Sequence, residues 1–121
     1  MSLLKSLLAN NFGSMQKMSL NQAAQEAPNR MGVYTLYLHN RPVYVGKAED
    51  GIRKRMVQYK NGTTVSYSSG QRIYNNRDDI KVTWQVCNSR EQCRKVEQQK
   101  ISSIHPEWNR QRGWDDDKIY K

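Results

Sequence analysis

The chain has 121 residues, enough for one domain, and only 36% are apolar, so a thin core and plentiful loops are expected. Twenty Lys and Arg against eleven Asp and Glu leave a net charge of +9, with a pI near 9.8. That excess favours a polyanionic partner, nucleic acid before others, and no apolar run approaches the roughly 20 residues that cross a bilayer.

Residues 1–30 read as a helical lead-in: in the opening MSLLKSLLANNFG the leucines at 3, 4, 7 and 8 have helical spacing interrupted by Lys5, and that stretch is too short and amphipathic for a signal-peptide h-region. Ser19 can cap a short helix through Ala27, which Pro28-Asn29 stops. Two strands near 33–38 and 43–47 form a hairpin around His39-Asn40-Arg41-Pro42. Asp50 is expected to cap a helix over 51–60, ended by Asn61-Gly62. Residues 62–79 are polar and suggest a loop around one short helix at 70–76. Ile80, Val82, Trp84 and Val86 alternate with polar residues, the pattern of a half-buried strand over 79–87. Ser89 opens a long helix to about Ile104, with Glu91 and Gln92 in its first turn and His105-Pro106 at its end. The acidic run Asp115–Asp117 reads as a solvated terminus.

These elements predict an α+β fold: a small three-stranded antiparallel sheet buried on one face by helices, with 1–30 as a helical extension and 31–121 as the domain. Cys87 and Cys93 match neither a C-x-x-C redox pair nor a zinc half-site; buried thiols in a reducing, cytoplasmic compartment are the expectation.

Three places break the pattern of ordinary packing. In the last helix, Glu97 falls inside the apolar stripe of Cys93, Ile101 and Ile104, with Val96 at its edge. A carboxylate there must be paired, protonated or bound to a metal, and Lys100 at i+3 offers the competing explanation of a salt bridge. In the middle helix, Arg55 lies among Ile52, Met56 and Tyr59 rather than on the outer face. One turn apart, Arg55 and Tyr59 can meet one object, unless Arg55 merely covers the core rim with its methylenes. In the hairpin, Gly46 permits close approach of a backbone or ligand, and Lys47 follows it. Tyr34 and Tyr44 share a face only if the pairing register is even; an odd register turns Tyr34 toward Lys47.

Gly32-Val33-Tyr34 followed by Tyr44-Val45-Gly46-Lys47-Ala48 resembles the signature of the GIY-YIG nucleases. Arg55 and Tyr59 match that family's catalytic arginine and the His/Tyr position after it. Glu97, with Pro106 and Asn109 in VEQQKISSIHPEWN, is similar to its metal-binding glutamate helix and terminal asparagine. The resemblance runs over 32–109. Valine replaces isoleucine in both tripeptides, and one extra residue precedes the arginine, so Arg55 is chosen over Arg53 because Tyr59 follows it at i+4.

The resemblance implies phosphodiester hydrolysis at a single divalent metal, Mg²⁺ or Mn²⁺, held by Glu97. Arg55 would neutralise phosphoryl charge, and a tyrosine, Tyr34 by first choice, would deprotonate water with Lys47 lowering its pKa. Tyr44 and Tyr59 would orient the water or phosphate, Asn109 would brace the site, and the glycines would admit the phosphate. Arg53, Lys54, Lys60, Arg110 and Arg112 supply phosphate contacts. Trp108 or Trp114 could stack on a base, against a prior of core packing. DNA is favoured over RNA. The alternatives are an inactive nucleic-acid-binding module of the same fold, or a toxin domain delivered to a target cytoplasm and neutralised by an immunity protein. Double-strand cutting would need a homodimer or two visits.

Overall fold

The computed structural model describes residues 16–109 apart from 66 and 67; the lead-in at 1–15 and the tail carrying Arg110, Arg112, Trp114 and the acidic run lie outside the described residues. In chain order the elements are β1 (Met18–Ser19), α1 (Leu20–Glu26), β2 (Gly32–Leu38), β3 (Arg41–Ala48), α2 (Ile52–Asn61), α3 (Ser68–Asn75), β4 (Ile80–Val86), α4 (Arg90–Ile104) and a 3₁₀ turn at Glu107–Asn109. The sheet is antiparallel with order β1-β4-β2-β3, four strands rather than the expected three. The fourth strand is two residues long, Met18 opposite Val82 and Ser19 opposite Lys81, too short to leave a period-2 signal.

Helices cover both faces, not one. On the first face Tyr34, Leu36, Tyr44, Val82 and Trp84 pack with Leu20 and Ala23 of α1, Ile52, Met56 and Tyr59 of α2, and Ile73 of α3. On the second, Val33 and Val45 pack with Cys87 and Cys93, flanked by Val96, Ile101 and Ile104 of α4. Leu20, Ala23, Ala24 and Ala27 are part of the main core, so residues 18–27 are built into the domain although they fall within the segment read as an extension.

The caps follow local chemistry with one exception. Ser19 and Ser89 accept hydrogen bonds from the backbone N–H groups of Gln22 and Gln92, both at 3.1 Å. Gln92 also reaches back to accept from the Asn88 N–H at 2.7 Å, a variant of the capping box. Asp50 does not cap α2. The N-cap is Gly51, whose φ of 131° excludes most side chains. The first N–H groups of α2 are instead satisfied by backbone: Ile52 donates to the Arg30 carbonyl at 2.9 Å and Arg53 to that of Pro28 at 3.2 Å.

The hairpin register decides where the tyrosines go. The turn is two residues, His39 and Asn40, both at positive φ, so Leu38 faces Arg41 and Tyr37 faces Pro42. Continued unbroken, that register would set Tyr34 opposite Val45, on the face of Lys47. Between Leu36 and Tyr37 the register shifts, with Val43 as the extra residue, so Leu36 faces Tyr44 and Tyr34 faces Gly46. One bulged residue thus moves Tyr34 and Tyr44 onto one face and leaves Lys47 on the other.

Candidate active site

Tyr34 stands in the middle of the sheet, between Trp84 of β4 and Gly46 of β3, and is 0% exposed. A Cβ at Gly46 would lie 2.3 Å from the Tyr34 Oη and 2.5 Å from its Cζ. The glycine therefore makes room for the phenol of this same chain. The expectation that Gly46 admits a phosphate is corrected on that ground. Gly32 is similarly closed: a Cβ there would meet the Gln85 carbonyl and Ile52 Cδ1, both at 2.5 Å.

The Tyr34 hydroxyl is hydrogen-bonded to that of Tyr59, with the two rings edge to face at a centroid separation of 5.8 Å. Arg55, one turn before Tyr59 on α2, donates from Nη1 to the Tyr34 hydroxyl at 3.5 Å and to the Lys47 carbonyl at 3.4 Å. Its Nε donates to Gln58 Oε1 at 3.1 Å. Tyr44 completes the group, its ring 6.3 Å from that of Tyr34. Tyr34, Tyr44, Arg55 and Tyr59 are thus brought together by one strand pair and one helix face.

Burial holds the Tyr34 phenol well above its ordinary range, reinforced by Tyr59 and Tyr44, while Arg55 pulls the other way. Burial raises Tyr59 as well. For Arg55, burial favours the neutral form, and the oxygens of Tyr34 and Tyr59 outweigh it, so the guanidinium stays charged. A buried, neutral Tyr34 is poorly suited to take a proton from water. Lys47 does not help it. Its ammonium pairs with Glu49 Oε2 at 3.2 Å, Glu49 Oε1 pairs with Arg90 at 3.3 Å, and the lysine acts electrostatically on Cys93 across the second face. The cation beside Tyr34 is Arg55.

A cleft of about 390 Å³ opens between α2 and α3, lined by Tyr44, Arg55, Gln58, Tyr59, Thr64 and Ser69 among others. Tyr44 is the hairpin phenol on this wall. Gln58 and the α3 wall were not singled out in the sequence; the one available signal is the i+3 spacing of Gln58 from Arg55.

Asn109 is buried in the 3₁₀ turn and clamps the exposed edge of β3: the Val45 N–H donates to its Oδ1 at 2.7 Å, and its Nδ2 donates to the Val45 carbonyl at 2.9 Å. Glu97 is half-buried on α4, the helix over the second face. Among the described residues no three His, Cys, Asp or Glu side chains form a cluster. Arg53 Nε donates to the Ala27 carbonyl at 2.7 Å, fastening α1 to α2, which distinguishes it from Arg55. Lys54 and Lys60 are exposed on α2. Trp108 packs against the main core.

Two antiparallel-sheet faces, an edge strand carrying paired tyrosine and glycine, and an arginine helix beside it define the class: the chain has the fold of the GIY-YIG domains. No protein-family model matches the sequence. The GIY-YIG N-terminal endonuclease domain of UvrC from Thermotoga maritima, bound to its catalytic divalent cation magnesium, superposes with a TM-score of 0.59 at 22% identity, covering 74% of this chain and 94% of that one. A single tyrosine-to-phenylalanine variant of that domain, also bound to its catalytic divalent cation, gives a TM-score of 0.60 at 22% identity over 74% and 94% of the two chains. In sequence, the UvrABC system protein C of Aquifex aeolicus is 33% identical over 86 residues, 70% of this chain. The chain spans only 14% of that relative's length. Among the described residues no helix is long and apolar enough to cross a membrane.

Proposed function

We propose that the chain is a divalent-metal-dependent endonuclease that hydrolyses phosphodiester bonds, with DNA as its substrate. The observation that carries this reading is the charged Arg55 guanidinium, fixed between the Tyr34 hydroxyl and the Lys47 carbonyl at a cleft whose described lining residues include no acid. Such a cation attracts an anion and stabilises charge growing on phosphoryl oxygens. The net charge of +9 supplies the general attraction for a polyanion, and exposed Lys54 and Lys60 add phosphate contacts on the arginine helix.

Among the three phenols, Tyr44 is the one we assign to the reacting water. It is the hairpin phenol that lines the cleft beside Arg55. Tyr34 and Tyr59 act one step back: their linked hydroxyls hold Arg55 in place and remain protonated through burial. Asn109 fixes the β3 backbone at Val45, beside Tyr44.

Glu97 is the residue that would hold the metal, Mg²⁺ or Mn²⁺. A half-buried carboxylate outside any cluster of three ligating side chains suits Mg²⁺, which is commonly held by one or two carboxylates and keeps several waters. It does not suit zinc, which asks for three or four protein ligands. When bound, the ion would polarise the phosphate and neutralise the leaving oxygen. The Thermotoga neighbour is bound to magnesium as its catalytic divalent cation, and its tyrosine variant is also bound to a catalytic divalent cation, which supports a metal-dependent reading here.

The test is plasmid DNA incubated with Mg²⁺ or with EDTA, beside the Glu97→Ala variant. Cleavage by wild type in Mg²⁺ alone, with DNA binding retained in the variant, is expected. If both proteins bind DNA and neither cuts it, the endonuclease reading fails and an inactive binding module takes its place.

A further inference from the structure

We propose that the cleft between α2 and α3 is a subsite for a single nucleotide next to the scissile phosphate, and that this nucleotide enters unpaired and unstacked. The proposal rests on the endonuclease reading for the role of Arg55 and Tyr44. Its own basis is the shape and chemistry of the walls.

The lining includes Arg55 and Tyr44, a cation and a phenol suited to a phosphodiester. The rest of the wall is neutral. Gln58, Thr64 and Ser69 offer one amide and two hydroxyls, and no described lining residue is acidic. Neutral donors and acceptors beside a single cation match a nucleotide, whose phosphate is charged while its sugar and base carry only neutral polar edges. A second phosphate would have no second cation to meet.

Thr64 gives an independent sign of an occupant. Its Oγ1 is buried and has no hydrogen-bond partner, the one such side-chain atom among the described residues. Folded chains rarely leave a buried hydroxyl unpaired, and such an orphan is completed by an ordered water or by a bound group. Gly70 brings α3 close enough to hold Thr64 there: a Cβ at Gly70 would lie 1.8 Å from the Thr64 carbonyl oxygen.

The size of the cleft sets the substrate preference. About 390 Å³ between two helices accommodates one nucleotide but not a base pair still stacked on its neighbours. A duplex would have to surrender one base to fill the site, which costs least where that base is mismatched, damaged or already single-stranded. The reading therefore predicts preference for gapped or unpaired DNA over fully paired DNA, with discrimination coming from α3.

The experiment has two arms on the full chain. In the first, backbone amide resonances are followed while thymidine 5′-monophosphate or inorganic phosphate is added. The nucleotide should move Gln58, Thr64 and Ser69, whereas phosphate should move only residues around Arg55. Identical sets of shifts, or no nucleotide-induced shift in the three cleft residues, would overturn the proposal. In the second, cleavage of a gapped duplex is compared with that of its fully paired counterpart, in wild type and in Ser69→Leu, which fills the cleft from α3. Wild type should favour the gapped substrate by about tenfold or more, and the variant should lose that preference. Equal rates on both substrates in wild type would also overturn it. If nothing is cut but the nucleotide still shifts the three cleft residues, the subsite stands and the endonuclease reading falls.

Discussion

Gly46→Ala separates two explanations of the glycine in the second tyrosine motif. If Gly46 serves a substrate phosphate, adding a methyl group should leave the fold intact and weaken substrate binding. The structure indicates the opposite. The new Cβ would stand 2.3 Å from Tyr34 Oη, 2.5 Å from Cζ and 2.9 Å from Cε1, all parts of a ring with 0% exposure. The ring cannot swing aside cheaply, because its hydroxyl is bonded to Tyr59 and Arg55. Overpacking of a tight core costs about 1–3 kcal/mol, and each hydrogen bond lost adds about 1 kcal/mol, so a loss of about 2–3 kcal/mol is expected. In a domain of this size that lowers Tm by roughly 6–15 °C. The decisive assay is a double-mutant cycle in urea with Tyr34→Leu, which removes all three clashing atoms. In that background Gly46→Ala should cost close to nothing, giving a coupling of at least about 1 kcal/mol. A Gly46→Ala cost that is the same in both backgrounds, or below about 0.5 kcal/mol in wild type, would refute the idea that the glycine exists for the ring.

Three further outcomes follow from the same geometry. Asn109→Ala leaves the buried Val45 N–H and carbonyl without partners, and should lower the urea midpoint by an amount equivalent to about 1–3 kcal/mol at unchanged m-value. The raised pKa values of Tyr34 and Tyr59 mean that folding stability is fully present below the unfolded phenol value near 10 and is lost as pH climbs above it, and Tyr34→Phe should make that loss shallower in urea midpoints measured against pH. Burial pushes the Cys93 thiol up to about 12, so a thiol-specific reagent at neutral pH should leave it unmodified in the native protein and label it only in denaturant; rapid native labelling would contradict the packing of α4 on the second face.

What the sequence displays, and what it hides, divides along a physical line. Signals that act within one turn or one strand are legible. The caps at Ser19 and Ser89, the alternation of β4 and the i+4 spacing of Arg55 and Tyr59 belong to this kind. Features that depend on a distant partner are hidden. Nothing near Met18 announces pairing with Val82, and nothing near Gly51 announces that the carbonyls of Pro28 and Arg30 will take over the task expected of Asp50. The hairpin shows both at once. A His-Asn turn at positive φ is a local event, but the bulge at Val43 reverses every facing that the turn alone would set. That reversal is why the residues of the site could be named from the motif while the partner of Tyr34 could not: Lys47 is three residues from Tyr44 in sequence, yet stands on the other side of the sheet.

Lys47 and Tyr44 on opposite faces also constrain where any reaction centre can be. Tyr34, Arg55 and Tyr59 belong to the first face, while Glu97 rides on α4 over the second. A centre using both would have to join the two faces of the sheet, and β3 is the edge strand that carries the site motif. Unpaired edges are prone to pair with other chains, so an edge kept open for substrate needs protection that is short and local. Asn109 meets that need. Its side-chain amide satisfies the outward N–H and carbonyl of Val45 as a neighbouring strand would, but at one residue only. Lys47 is two residues further along the same edge, and its outward carbonyl is taken by Arg55. The two clamps approach β3 from the element that follows α4 and from α2, so the edge is where the two halves of the molecule meet. Asn109 holds the edge strand at Val45, next to Tyr44, so on the proposed reading an Asn109 substitution would act on cleavage through the geometry of Tyr44.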